Sequence, residues 1–233
     1  MIKTGIIPEN SSYELLDGLI ILKDRGSRGD PVLSFGERIG RLTTDQYFRM
    51  IELGMIKEGA PYELLDGLLV LKDRSMRGEP LMSIGQPHSL AVGLVFSLNG
   101  RIEEGHHDCY MQSQCPIRIP PSHSPEPDGA IVKGNRRDYF ALPPLASAVI
   151  SVIEVAASSL EFDRTDKGPK YAEAAIPQFV LINLVDRVIE VYEKPDTQKR
   201  AYLECRTAKP GEQVEFLLAD GTRLGVPVEE LLP

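Results

Sequence analysis

The hydrophobic pattern breaks the chain into short apolar runs, punctuated by Asp-Gly, Pro-Pro and single glycines. Two stretches share almost the same letters. Tyr13-Glu-Leu-Leu-Asp-Gly-Leu-Ile-Ile-Leu-Lys-Asp-Arg25 recurs as Tyr62-Glu-Leu-Leu-Asp-Gly-Leu-Leu-Val-Leu-Lys-Asp-Arg74, and the likeness runs on to Gly36 and Gly85. Apolar runs on either side of an Asp-Gly pair predict a strand, a tight turn and a second strand. One hairpin cannot bury its apolar face alone, and two copies fall short of a solenoid. The second copy leads straight into the rest of the chain and reads as integral. The first is an extra hairpin that must dock on the same sheet, on its twin or on another chain.

Helical spacing follows. The stretch 42–54 reads as a short helix, with Thr43 or Thr44 as its cap and Gly54 as its stop. Apolar positions over 88–105 predict a long core helix. Strands are expected at about 109–119, 128–133, 148–156, 178–184 and 188–193, with a helix at 164–175 between the third and fourth. A strand pair at 201–207 and 213–218 and a short turn from Val228 complete the tail. These elements predict an α+β fold, an α/β sandwich with a mixed central sheet flanked by helices. The run Ile150–Val155 is nearly all apolar, so it is expected to be a central strand covered on both faces. The expected divisions are 1–41 as hairpin extension, 42–195 as core domain, and 196–233 as a strand pair and tail packed on that core.

Composition narrows the class. With 42% hydrophobic residues over 233, the chain supports a real core for one domain with an appendage. No apolar run approaches the ~18 residues of a membrane span, and the amino terminus lacks the apolar stretch of a signal peptide. Cys109, Cys115 and Cys205 form no CxxC pattern and no disulfide framework, so a reducing cytoplasm is the expected setting. The net charge of −8 counts against a protein that grips nucleic acid by bulk electrostatics. Arg136, Arg137, Arg164, Lys167 and Lys170 nevertheless cluster in sequence around the acids considered next; they serve surface solubility equally well.

Two acids and a lysine carry the candidate chemistry. Asp128 follows Pro127 at the start of an expected strand, and Glu154 ends a buried one. A carboxylate in so apolar a strand is costly unless something pairs with it. If the two strands lie side by side, both acids converge on one hard cation such as Mg²⁺. The other reading makes Asp128 a turn residue and Glu154 a buried acid paired with an arginine. Lys167 stands near the start of the following helix, from where its ammonium would reach back to the strand ends; a solvated surface lysine is the alternative. Ser158, Ser159 and Asp163 read as cap and turn formers, and His88 as a capping or packing residue. His106 and His107 beside Cys109 fit no zinc spacing. Phosphate-loop, GxSxG and HExxH patterns are absent from the sequence.

From about Leu42 to Pro195 the chain resembles the Uma-two family of restriction-endonuclease-like proteins, within the PD-(D/E)XK nuclease superfamily. The resemblance rests on Tyr62-Glu-Leu-Leu-Asp-Gly, Pro87-His88, Gln114-Cys-Pro-Ile-Arg, Glu126-Pro-Asp128 and Val152-Ile-Glu154-Val. It continues through Ser158-Ser159, Asp163-Arg-Thr-Asp-Lys167, Tyr171-Ala-Glu-Ala-Ala-Ile-Pro177, Leu181-Ile-Asn-Leu-Val and Val188-Ile-Glu-Val-Tyr. It implies a restriction-endonuclease-like fold, with Asp128 and Glu154 as the pair holding Mg²⁺, for which Mn²⁺ can substitute. The superfamily's lysine would lie two positions after the Glu, where this chain has Ala156; the resemblance moves it to Lys167. Glu63 matches an upstream acid that ligates metal or touches it through water, while no catalytic role is expected for its twin Glu14. Gln114 is expected to border the cleft. The implied activity is metal-dependent endonucleolytic hydrolysis of DNA. The alternative is a catalytically silent binding or assembly module that keeps the nuclease scaffold. The extra hairpin offers an edge for a homodimer.

Overall fold

The computed structural model describes residues 13–16, 19–22, 41–57, 59–60, 62–71, 86–105 and 108–233. The chain divides into two compact units, Met1–Asp73 with Ile119–Pro125, and Arg74–Arg118 with Glu126–Pro233. This division differs from the sequence boundaries at 41 and 195. Leu64 packs with Leu42, Tyr47 and Met50, which ties the second hairpin and the helix before it to the first unit. Val214, Phe216, Val226 and Leu231 enter the main core, which ties the tail to the second.

In the first unit, β1 (Tyr13–Leu16) pairs with β2 (Leu19–Leu22), and β3 (Tyr62–Leu65) with β4 (Leu68–Leu71). The registers correspond, Leu16 facing Leu19 and Leu65 facing Leu68. Asp66 and Gly67 take φ of 50° and 73°, the left-handed pair that a two-residue turn requires. A Cβ on Gly67 would lie 2.6 Å from the Cβ of Arg41, so no larger residue fits there. Helix α1 (Thr44–Glu52) begins in a capping box. Thr43 Oγ1 accepts from Gln46 N at 3.2 Å and Gln46 Oε1 accepts from Thr43 N at 2.8 Å, which settles the cap on Thr43.

The second unit is built on one six-stranded sheet in the order β10-β9-β8-β7-β6-β5. Its strands are β5 (Cys109–Ser113), β6 (Gly129–Lys133), β7 (Val149–Ala156), β8 (Gln178–Asn183), β9 (Val188–Asp196) and β10 (Ala201–Ala208). Only β7 and β8 run parallel. A parallel neighbour needs a crossover, and the helix over 160–173, α3, supplies it. The long helix α2 (Gln86–Glu104) puts Ala91, Val95, Leu98 and Ile102 into the core shared with Ile131, Ile153, Val180 and Ile182. All eight residues of β7 are buried, as a strand between two covered faces must be.

Two expectations fail locally. The run 109–119 is a strand only to Ser113, although Arg118 and Ile119 make isolated bridges. The tail strands do not pair with each other. Asp196 Oδ1 accepts from the amides of Gln198 and Lys199 and folds β10 back onto β9. An unforeseen strand β12 (Arg223–Pro227) then pairs with β11 (Gln213–Leu217) across the Asp220-Gly221 turn. The tail is fixed to the sheet through Gln178, whose Oε1 accepts from Leu217 N at 3.0 Å and whose Nε2 donates to Glu215 O at 2.9 Å.

Candidate active site

β6 and β7 are antiparallel neighbours, with Gly129 opposite Ile153. Asp128 immediately precedes Gly129 and Glu154 immediately follows Ile153, so both acids stand at the same end of the strand pair. The backbone makes this convergence rigid. Val155 N donates to Asp128 Oδ2 at 2.9 Å, and Gln114 N donates to the Asp128 carbonyl at 3.2 Å. Gln114 therefore borders the first acid through its backbone. Alternation along β7 sends Ile153 and Val155 into the α2 side of the core. Glu154 falls on the other face, towards α3.

That face is polar at one point. Lys167 Nζ donates to Glu154 Oε1 at 3.0 Å, and the hydroxyl of Tyr171 donates to the same oxygen at 2.6 Å. Lys167 also lies 3.6 Å from Asp163 Oδ1. Glu154 is 2% exposed, and Asp163, Lys167 and Tyr171 are buried around it. Helix α3 delivers these groups by a change in winding. It is α-helical over Leu160–Phe162, π-wound over Asp163–Lys167 and α-helical again over Gly168–Glu173. The wider turn sets Asp163 and Lys167 on one face. Gly168 allows the tight return, since a Cβ there would stand 3.3 Å from the Phe179 ring.

Lys167 thus sits at the end of a π turn inside a helix that begins earlier than expected, and Asp163 belongs to the helix instead of the connecting loop. Of the five basic residues clustered in sequence, Lys167 is the one that reaches the acids among the described residues. Arg164 makes a two-pronged pair with Glu190. Arg136 lies over the rings of Phe96 and Tyr110 beyond the opposite end of β6. The partner of Glu154 is therefore a lysine and a tyrosine, not an arginine.

Charge states follow from these contacts. Burial pushes Glu154 up to about 8; Lys167 opposes the rise, Asp163 and Asp128 add to it, and the Tyr171 hydrogen bond opposes it. Burial also works against the Asp128 carboxylate. There the hydrogen bond and charge of His88, the Val155 amide and Lys167 outweigh it and hold the carboxyl below its usual range.

His88 is the residue that the sequence assigned to capping or packing. It shares the buried face of α2 with Ala91, Val92 and Val95, at helical spacing, and its Nε2 lies 3.3 Å from Asp128 Oδ2. Its Nδ1 is buried without a hydrogen-bond partner among the described residues. The signal in the sequence was a histidine on an otherwise apolar stripe. Glu63 lies buried in β3 opposite Val70, in the first unit, whereas Asp128, Glu154 and Lys167 belong to the second. The pair His106 and His107 lies outside the described residues.

Two oxygens are left over. No described residue donates to Oδ1 of Asp128 or to Oε2 of Glu154. Among the described residues, no three His, Cys, Asp or Glu side chains are grouped to enclose an ion. A donor set of two carboxylate oxygens suits a hard divalent cation that keeps waters and substrate oxygens for its remaining positions. It does not suit a closed zinc site.

Comparison with known proteins agrees with this architecture. The fold matches the crystal structure of a putative nuclease belonging to DUF820 from Anabaena variabilis ATCC 29413, with a TM-score of 0.57 and 14% identity, over 82% of this chain and 97% of that one. No curated protein matches the chain. A family model, Uma2, described as "Putative restriction endonuclease", matches residues 44–226. The chain belongs to the Uma2 (Uma-two) family of putative restriction endonucleases.

Proposed function

We propose that the protein is a metal-dependent endonuclease that hydrolyses phosphodiester bonds of DNA. The observation that carries this reading is the pair of carboxylates at one end of β6 and β7, each with one undonated oxygen, beside a buried ammonium. Asp128 Oδ1 and Glu154 Oε2 are the atoms that would hold Mg²⁺, or Mn²⁺ in its place. Such an ion polarises a phosphoryl oxygen and lowers the pKa of a bound water. The chain's own groups do the rest. The Val155 amide and His88 fix Asp128, and Tyr171 fixes Glu154. The Lys167 ammonium orients the attacking water and offsets charge building on the phosphate. Glu63 is proposed as an assisting acid on the family resemblance. Water gives up one proton as its oxygen adds to phosphorus, the P–O bond to the departing sugar oxygen breaks, and that oxygen takes up a proton.

Supercoiled-plasmid nicking with Mg²⁺ or Mn²⁺ tests the assignment. Wild type should convert supercoiled to open-circular DNA, and Asp128→Asn and Glu154→Gln should each lower the rate by at least about a hundredfold. Nicking that survives both substitutions would remove the site from the reaction.

A silent scaffold is the second reading, favoured by the net charge of −8 and by the internal partners that already occupy Oε1 of Glu154. Calorimetry with Mn²⁺ separates the two: heat of binding that Asp128→Asn abolishes supports the metal site. No helix among the described residues is long and apolar enough to cross a membrane.

A further inference from the structure

Between their tyrosine and their arginine, the two hairpins of the first unit differ only at Ile20 against Leu69 and Ile21 against Val70. The second hairpin is held by a definite set of groups. Tyr62 O accepts from the Tyr47 hydroxyl at 3.1 Å. Leu64 exchanges both backbone hydrogen bonds with Ser124, at 2.7 and 3.3 Å, and sends its side chain in among Leu42, Tyr47, Met50 and Ile56. Asp66 N donates to His123 Nδ1 at 2.9 Å. Gly67 N donates to Ser122 O, and Gly67 O accepts from Leu42 N, both at 2.8 Å.

Every one of these groups has an identical counterpart in the first copy: Tyr13, Leu15, Asp17 and Gly18. The differing positions fall elsewhere, Leu69 being 38% exposed and Val70 half-buried. The strand registers also coincide. Whatever holds β3–β4 has therefore no chemical means of rejecting β1–β2.

We propose that the seat formed by Leu42, α1 and the segment 122–124 is an interaction surface for either hairpin, and that β1–β2 of the same chain is its second occupant. The same chain is favoured over a second copy by tethering. Joined to the seat through about twenty residues of chain, the first hairpin is held at an effective concentration on the order of millimolar, far above that of a free partner. Occupancy is then set by the two tethers, because the seat contacts are equal. Exchange puts Glu14, opposite Ile21, in the register position that Glu63 holds opposite Val70. The exchange itself does not rest on the nuclease reading, and its test uses no activity.

The glycine of the turn gives the test. A side chain at position 67 collides with Arg41 Cβ and with Leu42 O, which a Cβ would approach to 2.9 Å. Gly67→Val therefore expels β3–β4 from the seat, and Gly18→Val does the same to β1–β2. Hydrogen–deuterium exchange of the whole chain, separated by size, is followed by mass spectrometry. In Gly67→Val, the 62–71 peptide should lose protection while the 13–22 peptide exchanges at least tenfold more slowly than in wild type. Gly67→Val and Gly18→Val should each melt near wild type, and the double variant well below both. The milder Gly67→Ala should shift the same two peptides in the same directions. The proposal is overturned if protection at 13–22 does not rise in Gly67→Val. It is equally overturned if the rise is confined to a dimer fraction, or if Gly67→Val alone melts as low as the double variant.

Discussion

The amide of Val155 donates to Oδ2 of Asp128 at 2.9 Å, so the strand that carries Glu154 itself holds the other acid in place. The two carboxylates are fixed by sheet geometry and not by mobile loops. Side chains carried on rigid elements hold their geometry more closely than side chains on loops. The arrangement has consequences that can be measured.

The first concerns pH. Glu154 has its carboxyl raised from 4.5 to about 8, chiefly by burial. Between those values the folded chain keeps a proton that the unfolded chain has released. The contribution is fully present below pH 4.5 and is lost as pH rises through about 8. Glu154→Gln keeps the shape and removes the ionisation. Its stability relative to wild type should rise between pH 5 and pH 9, because over that range only wild type gives up the Glu154 proton. Urea unfolding in the presence of a chelator reads this directly. Asp128 has the opposite sign: its lowered pKa adds stability above the ordinary value of 3.8, lost as pH falls through the lowered one. A Glu154→Gln variant whose stability relative to wild type does not change between pH 5 and pH 9 would contradict the assignment.

Lys167 answers two buried acids, Glu154 at 3.0 Å and Asp163 at 3.6 Å. Lys167→Met removes the cation and keeps most of the volume. At pH 9 it should cost about 3–5 kcal/mol, the range for breaking a buried pair on one side. At pH 6 the loss should be smaller, because Glu154 then carries a proton. Chemical denaturation at the two pH values is the check, and a loss independent of pH would show that the pair is not what Lys167 contributes.

His88 touches Asp128 from the start of α2. Groups that orient a ligating carboxylate typically change metal affinity by about 10–100-fold when removed. On the proposed metal role of Asp128, His88→Ala should weaken Mn²⁺ binding by that factor, beside the stability lost with a buried side chain. Calorimetric titration beside a thermal scan separates the two effects. Unchanged affinity would return His88 to the packing role that the sequence first gave it.

Gln178 is buried at the centre of a polar knot. It accepts from the Ser151 hydroxyl and the Leu217 amide, and donates to Glu193 and to the Glu215 carbonyl. Gln178→Leu takes this partner from the Ser151 hydroxyl, the Leu217 amide and the Glu215 carbonyl and should cost about 2–4 kcal/mol. Proteolysis within 209–233 should accelerate in step, since the knot holds β11 to β8 beside the apolar contacts of the tail. A stability loss below 1 kcal/mol, with the tail still resistant, would mean that water replaces the amide.

The sequence by itself determined the elements whose causes are local. The Asp-Gly turns, the Thr43 cap, the helical spacing of α2 and the apolar run of β7 each follow from neighbours a few residues apart. The order of acids and lysine was also legible, since Asp128, Glu154 and Lys167 stand at the ends of recognisable runs. Tertiary structure alone decided what those ends meet. The register between β6 and β7 placed the two acids side by side, and register depends on pairing across the sheet. The π turn that aims Lys167 depends on how α3 packs against Phe179, and no pattern in Asp163-Arg-Thr-Asp-Lys167 announces it. His88 looked like core because its neighbours on the stripe are core; only the approach of Asp128 from another element gave it a polar partner. The tail went astray for the same reason. Alternation shows that a segment is a strand, but the partner is chosen by turns and buried polar groups such as Asp196 and Gln178, which act between segments.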